Sequence, residues 1–569
     1  MIIYDQKPWL KFYGDVPVSI DYPRVTMVEA LMQSVQRNPD TIAYDFMDYS
    51  STYKQFARDI DQCAAALAAE GLKQGDCLTI ALPTIPQGVI AFYAVNKIGA
   101  VASMIHPLST AREIAFYLTL SKSRMALILE DHYAKFKEVE KETGLQALIV
   151  TGAADSINSA AGKPLPAEPA DPMVKSWRRL MAGSYPPVPQ STMGPDDMAA
   201  ILYSGGTTGQ PKGIMLSNYN FISEGLMTAA FRKITHGDKH MVMVASLPIF
   251  HGFGLGICCN AMFISGGTSI LVPTFTPDTL AEIILKKKPT AISGVPTLYD
   301  ALIRSPLLEK ADLGCLLSAT VGADTLPRTV KERFEDIVRR RGGSVQLVEG
   351  YGLTEAVTGI MLTPANAYRE GSVGIPCPDM EAKIVRSGTQ ETVPAGEEGE
   401  LCISGPAVMM GYLEQPEETA KTLQRHADGK IWLHTGDIFS MSEEGFFYFK
   451  LRLKRMIKSS GMNVYPAQVE AVLYLHPDVR DACVIGVPDK AQIERVKAFV
   501  VLKDAAKATP SMIEELIRHC REHLIKWSCP REVEFRDSLP LTRVGKIAFT
   551  VLEQEEIAKL KAAGKYTGE

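Results

Sequence analysis

Short apolar runs alternate along most of this chain with longer stretches whose apolar residues recur every three or four positions. Thr26 followed by Glu29 has the spacing of a capping box, and Val28, Leu31, Met32 and Val35 then repeat at helical spacing until Asn38-Pro39 stops the helix. The runs Cys77-Leu78-Thr79-Ile80-Ala81-Leu82, Ala126-Leu127-Ile128-Leu129 and Ala147-Leu148-Ile149-Val150 read as strands between helices, the pattern of a doubly wound sheet. Met198-Ala199-Ala200-Ile201-Leu202 reads as another strand, delivering the loop after it to a sheet edge. A second α/β series runs from Met241-Val242-Met243-Val244 to Leu316-Leu317-Ser318-Ala319.

Between these series, residues 152–194 are rich in Ala, Ser and Pro and read as a surface excursion with one short helix over 173–181. The apolar stretch 255–273 contains Asn260, two serines and several glycines, so it predicts a buried helix and strand rather than a membrane span. After residue 371 come short strands with Gly/Pro turns, such as Gly399-Glu400-Leu401-Cys402-Ile403-Ser404. Beyond residue 450 the pattern restarts with Val484-Ile485-Gly486-Val487, Ala498-Phe499-Val500-Val501-Leu502 and a helix over 510–525. The expected fold is therefore α/β: a large N-terminal domain of two doubly wound α/β subdomains plus a small β subdomain, then a small α+β C-terminal domain.

The bulk numbers narrow the class. A length of 569 residues exceeds a single typical core, and 46% hydrophobic with 22% charged residues is the composition of a globular enzyme. A net charge of −5 gives no basic face for nucleic acid, so affinity for an anion has to come from a local site. The ten cysteines show neither a CxxC pair nor zinc-site spacing and read as buried reduced thiols, which points to the cytoplasm. Neither a secretory signal nor a transmembrane segment is visible, and the oligomeric state is left open by the sequence.

The richest chemistry lies in Tyr203-Ser204-Gly205-Gly206-Thr207-Thr208-Gly209-Gln210-Pro211-Lys212-Gly213. Its glycines let backbone N–H groups approach an anion, its hydroxyls add donors and Lys212 adds charge. An ordinary P-loop would place Ser or Thr after the lysine and start a helix there, whereas Pro211 and Gly213 flank Lys212 and oppose one. Further along stand Glu349-Gly350-Tyr351-Gly352-Leu353-Thr354-Glu355, His434-Thr435-Gly436-Asp437, Lys454-Arg455-Met456-Ile457-Lys458-Ser459-Ser460-Gly461 and Pro540-Leu541-Thr542-Arg543-Val544-Gly545-Lys546.

Together, in this order and spacing, these motifs closely resemble the adenylate-forming superfamily of acyl-CoA synthetases, beetle luciferases and peptide-synthetase adenylation domains, over residues 25–555. The resemblance implies a two-step reaction. A carboxylate attacks the α-phosphorus of ATP to give an acyl-adenylate and pyrophosphate, and a thiol, that of coenzyme A, then displaces AMP. It further implies that Ser204, Gly205, Gly206, Thr207, Thr208, Gly209 and Lys212 cradle the β- and γ-phosphates. Thr354 would donate to the α-phosphate and Glu355 would hold Mg²⁺. Tyr351, between Gly350 and Gly352 and after Glu349, would stack on adenine with Gly322, Ala323 and Asp324 along the base. Asp437 and Arg452 would bind the ribose. Lys546 would bridge carboxylate and phosphate. A domain of residues 454–569 would turn about a hinge near Lys454 relative to residues 1–453, withdrawing Lys546 and bringing Lys458 to Gly461 up to a thiol tunnel. His251, in Pro248-Ile249-Phe250-His251-Gly252-Phe253-Gly254, would form a gate or wall of the acyl pocket rather than a general base.

This chain departs from many relatives with Leu451 before Arg452 and with Gln468 in Pro466-Ala467-Gln468-Val469-Glu470. The Gly205-Gly206 pair and the excursion at 173–181 are similar to those of fatty acyl-CoA synthetases, so a medium- to long-chain fatty acid is the expected substrate. The alternatives are an aromatic or arylalkanoic acid, a stand-alone module loading a carrier protein, and an inactive nucleotide-binding sensor. Retention of Glu355, Asp437, Arg452 and Lys546 argues against the last, and no carrier domain follows Lys546.

Overall fold

The computed structural model describes residues 3–167, 169–204, 211–364, 366–452, 455, 457–459, 462–464, 466–489, 493–524, 526, 528–542, 547–563 and 566. Among them, two large sheets organise the chain up to residue 376, and the later strand Gly411–Tyr412 joins the first of them. The first runs, edge to edge, Gly411–Tyr412, Lys212–Ser217, Met198–Ser204, Val101–Met104, Cys77–Ala81, Met125–Leu129, Ala147–Thr151 and Val174–Ser176. Its inner strands are parallel, and Cys77–Ala81 is buried along its whole length, as unbroken apolar runs require when helices cover both faces.

One expectation is corrected here, the single helix of the excursion. After the strand Met198–Ser204 the chain turns back, and Lys212–Ser217 pairs with it antiparallel, with Gly411–Tyr412 outside. Lys212 opens a strand, Lys212–Ser217, and not a helix, in keeping with its Pro and Gly neighbours. The excursion holds two short helices, Asp155–Ala160 and Trp177–Ala182, and the strand Val174–Ser176, which extends the sheet by pairing with Ala147–Thr151. An open sheet edge captured three residues that by pattern alone belonged to the helix.

The second sheet runs Ile375–Pro376, Gly359–Leu362, Leu347–Gly352, Ser318–Val321, Ala291–Gly294, Val242–Ala245, Thr268–Leu271, Ile42–Phe46 and Tyr49–Thr52. The early hairpin Ile42–Phe46 with Tyr49–Thr52 thus crosses over and joins the later series, next to Thr268–Leu271. One hydrophobic core accordingly runs through both halves, from Tyr4 to Phe447. The helix Met27–Arg37 starts with the expected capping box: the Glu29 amide donates to Thr26 Oγ1 at 3.3 Å and the Thr26 amide donates to Glu29 Oε2 at 2.8 Å. The stretch 255–273 is buried as expected, as the π-helical segment Phe253–Asn260, the helix Ala261–Ser265 and the strand Thr268–Leu271.

A third, smaller sheet contains Glu381–Val385, Gly399–Ser404, Ile431–Met441, Leu423–Arg425 and Phe447–Arg452. The first residues of the chain staple it to the large core. Trp9 is buried with its ring edge-on to Phe447 at 6.0 Å, and the Tyr13 hydroxyl donates to the Pro376 carbonyl at 2.8 Å. Past residue 455, Ile457–Ser459, Met462–Val464, Val479–Asp489, Ile493–Leu502 and Glu532–Phe535 form a further sheet with its own hydrophobic clusters. Inside that sheet Lys497 is nearly sealed from solvent among Glu532, Glu534 and Glu556, each 2.7–2.8 Å away. No helix among the described residues is long and apolar enough to cross a membrane.

Gly374 holds the junction between the second and third sheets. It adopts φ +94° and bridges to Phe447, and a Cβ there would collide with the Leu362 carbonyl. Gly371, at φ +73°, faces open space. Gly371→Ala is expected to cost only the left-handed backbone penalty of about 1–2 kcal/mol, and Gly374→Ala at least about 3 kcal/mol, the range of severe packing defects. Denaturant unfolding of both variants reads the difference, and equal losses would show that the collision does not matter.

Candidate active site

The parallel strands of both large sheets end on a single cavity of about 1270 Å³, the position at which open α/β sheets hold ligands. From the first sheet, Ile105 and His106 follow Val101–Met104, and Tyr203-Ser204 close Met198–Ser204. From the second, Gly322-Ala323 follow Ser318–Val321, and Gly350-Tyr351-Gly352 end Leu347–Gly352. Ser204 and Lys212 pair across the hairpin and both line the cavity. Gly205, Gly206, Thr207, Thr208 and Gly209 lie outside the described residues.

Lys212 is already engaged. Its Nζ lies 2.7 Å from Glu418 Oε2 and 4.6 Å from the centre of the Tyr412 ring, and hydrogen bonds from Lys212 and Lys421 lower the Glu418 carboxyl to about 2. The Tyr412 hydroxyl in turn donates to Glu355 Oε1 at 3.0 Å. Burial, and then the charge of Glu355, pushes the phenol far above its ordinary value, so it remains a donor. Neither Tyr412 nor Glu418 belongs to a motif read from the sequence. They arrive because Gly411–Tyr412 pairs with Lys212–Ser217, a contact that only the sheet order reveals.

Thr354 and Glu355 sit in the single turn Thr354–Ala356, and both line the cavity. The turn is locked by close backbone contacts. Val357, at φ 63°, packs its carbonyl on Gly252, and the Thr358 carbonyl packs on Gly352; a Cβ on either glycine would collide. His251 and Phe250, just before Gly252, line the same cavity. His251 Nδ1 accepts from the Phe253 amide at 3.2 Å, so the neutral ring carries its proton on Nε2 and faces its neighbours as a donor. The adjoining wall is apolar, formed by Phe231, Phe253, Ile257, Val348 and Leu362, with Phe253 and Ile257 on the π-helical segment.

At the opposite wall, the Tyr351 hydroxyl donates to Asp437 Oδ2 at 2.7 Å and the Asp437 amide donates to Thr435 Oγ1 at 3.1 Å. Glu400 steadies this turn, its Oε1 accepting from the Gly436 amide at 3.0 Å while Oε2 meets His434 Nδ1 at 3.1 Å. Asp437 stands opposite Arg452 in the strand register; the Arg452 side chain lies outside the described residues. Gly322 packs close to Phe253, and Ala323 takes φ 72°.

Two expected cofactor residues are not among those lining the cavity. Asp324 is exposed and accepts from the Thr325 amide at 2.8 Å. Glu349 alternates to the other face of its strand, where burial raises its carboxyl to about 7 and its Oε2 has no hydrogen-bond partner among the described residues. Lys546, Gly461 and Lys454 lie outside the described residues, as does the side chain of Lys458, whose strand Ile457–Ser459 pairs with Met462–Val464. Thr542 and Ile547, on either side of 543–546, both line the cavity.

Comparison with known proteins meets this geometry. Residues 31–413 match the family model described as AMP-binding enzyme, and residues 468–546 match the AMP-binding enzyme C-terminal domain. The chain is 35% identical to a long-chain-fatty-acid–CoA ligase of Bacillus subtilis, over 97% of this chain and 98% of that protein. It is 33% identical to a feruloyl-CoA synthase of an Amycolatopsis species, over 87% and 92% respectively. Among solved structures, the ATP-bound RpMatB-BxBclM chimera B1 superposes with a TM-score of 0.83 at 26% identity, covering 94% of this chain and 99% of the chimera.

Tyr351→Phe keeps the ring and deletes its bond to Asp437. Hydrogen bonds to charged groups contribute about 1.5–3 kcal/mol, so ATP affinity is expected to fall at least about tenfold. Calorimetric titration with ATP and Mg²⁺ measures this, and an unchanged Kd would remove the pair from the nucleotide site.

Proposed function

Because the chain belongs to the AMP-binding enzymes, we propose that it activates a medium- to long-chain fatty acid with ATP and passes the acyl group to coenzyme A. The observation that carries this reading is the convergence on one cavity of a Lys212 grip, a Thr354-Glu355 turn, a Tyr351–Asp437 pair and an apolar wall. Long-chain-fatty-acid–CoA ligases from several bacteria, similar over nearly the whole chain, support the acid and the acceptor.

In the first step a carboxylate oxygen forms a bond to the α-phosphorus as the bond to pyrophosphate breaks. Both reactants are anions, so the chain's task is to neutralise repulsion and stabilise charge that grows in the transition state. Lys212 and the hydroxyl and amide donors of 204–209 hold the leaving pyrophosphate, which displaces Glu418 from Lys212. Thr354 donates to the α-phosphate, and Lys546 would offset the charge between the phosphate and the attacking carboxylate. Tyr351 and Gly322-Ala323 take the base; Asp437 and Arg452 take the ribose. Glu355 supplies a hard carboxylate oxygen beside the phosphates, with Tyr412 bound to Oε1, a donor that suits Mg²⁺. When bound, Mg²⁺ would draw charge from the phosphate oxygens at Glu355.

In the second step the thiol of CoA attacks the acyl carbon, the thioester bond forms, and the bond to AMP breaks. His251 stays a wall of the acyl pocket, since its Nδ1 is an acceptor for the Phe253 amide. The segment 454–569 turns between the two steps, exchanging Lys546 for the strand that carries Lys458. The cytoplasm suits this chemistry: all ten cysteines are free and nine of them are buried. An aromatic acid is the second reading, favoured by the similarity to the feruloyl-CoA synthase and by the phenylalanines of the pocket wall.

Pyrophosphate release is expected only with ATP, Mg²⁺ and acid together, with thioester formed only on adding CoA, and with kcat/KM highest for fatty acids in a graded series of chain lengths and aryl acids. A maximum at an aryl acid would transfer the assignment to the second reading, and adenylation without thioester would make a carrier protein the acceptor. Lys546→Ala is expected to slow adenylation by about 10²–10³-fold while a supplied acyl-adenylate is thioesterified within a few-fold of wild type. Equal loss of both half-reactions would overturn the exchange of lids.

A further inference from the structure

Behind the Asp437 turn lies a cluster that the adenylation chemistry does not use. Cys402 on Gly399–Ser404, His434 on Ile431–Met441 and His426, just past Leu423–Arg425, each bring one ligand atom within 4.8 Å of the others. Cys402 Sγ is 3.5 Å from His434 Nδ1, the two histidine Nε2 atoms are 2.9 Å apart, and Glu400 Oε2 is 3.1 Å from His434 Nδ1. Cys402 and His426 are buried. His426 offers Nε2 to His434 Nε2, while its Nδ1 is buried with no hydrogen-bond partner among the described residues.

We propose that Cys402, His426 and His434, with Glu400 as fourth ligand, form a binding site for a soft divalent transition-metal ion, zinc foremost, whose occupancy is coupled to the nucleotide site. One thiolate, two imidazoles and a carboxylate make a donor set that zinc accepts tetrahedrally, at about 2.3 Å to sulfur and about 2.0–2.2 Å to nitrogen and oxygen. Cys402 and Glu400 meet His434 at Nδ1 and His426 meets it at Nε2, so the His434 ring must turn to bring one of its nitrogens to the ion together with the other three donors. Binding exchanges the Cys402 thiol proton, released to buffer, for a metal–sulfur bond, while each imidazole keeps one N–H. Entry is provided by a shallow cleft at Gly388, Thr389 and Gln390 that reaches Glu400 and His434. Coupling follows from Glu400, which also holds the Gly436 amide at φ 68°, one residue before Asp437. An ion that recruits Glu400 or His434 pulls on the turn that presents Asp437. The coupling rests on the nucleotide reading above; the metal site does not.

The test titrates metal-stripped, full-length protein with Co²⁺ and follows the sulfur-to-cobalt charge-transfer band in the near ultraviolet. One equivalent is expected to develop the band and Zn²⁺ to abolish it. Cys402→Ser is expected to lose the band, and His426→Gln to weaken Zn²⁺ binding at least about tenfold. His523→Ala, in the surface cluster His519, Glu522 and His523, is expected to leave the band intact. Far-ultraviolet circular dichroism confirms that each variant is folded, and the two cluster variants report independently. No band in the wild type, or a band that survives Cys402→Ser, overturns the site. One equivalent of Zn²⁺ is expected to shift the Kd for ATP measured with excess Mg²⁺; an unchanged Kd overturns the coupling alone.

Discussion

The bond from the Tyr351 hydroxyl to the Asp437 carboxylate is the joint on which the proposed nucleotide end of this molecule depends. Tyr351 ends a strand of a large α/β sheet and Asp437 lies in a strand of the small β sheet, so one 2.7 Å contact sets two separately formed layers at a fixed distance. Everything around it supports that setting. Thr435 and Glu400 hold the backbone at Gly436 and Asp437, the Phe439 ring meets Tyr351 edge-on at 4.9 Å, and Trp9 and Tyr13 staple the small sheet from below. A charge-assisted bond is strong but strict about geometry, which explains how much structure serves its alignment.

A second contact chain runs from Glu418 through Lys212 and past the Tyr412 ring to Glu355. It keeps a cation and two carboxylates in register when no polyphosphate is present. In the proposed reaction Glu418 is the stand-in for phosphate: it holds Lys212 in the cavity and yields it to a ligand of higher charge. The two chains bracket the Thr354-Glu355 turn, where the α-phosphate would lie.

The α/β organisation was legible because buried parallel strands are continuously apolar and their helices carry capping signals such as Thr26 with Glu29. Thr354, Glu355, Tyr351 and Asp437 were legible as polar groups set among glycines where a core element has no use for them. Tyr412 and Glu418 were not, since nothing local distinguishes a tyrosine in a turn-rich segment from a packing residue, and their partner Lys212 lies some two hundred positions earlier. The same holds for Val174–Ser176, which became a strand only because Ala147–Thr151 presented a free edge. Asp324 and Glu349 show the reverse case: each belongs to a motif at the cavity, yet strand alternation and a local turn turn their carboxylates elsewhere.

The backbone contacts of Gly252 with Val357 and of Gly352 with Thr358 carry a consequence for how this pocket can diversify. With carbonyl oxygens resting directly on α-carbons, the aromatic wall and the Thr354-Glu355 turn form one rigid block, and neither segment can be displaced to enlarge the pocket without moving the other. In the proposed reaction, changes of acid size are therefore confined to side-chain volume at positions such as Ile257, Val348 and Leu362, facing a floor that does not move. A pocket built in this way can be retuned one residue at a time, because a substitution that alters its depth leaves the position of the reacting phosphorus unchanged.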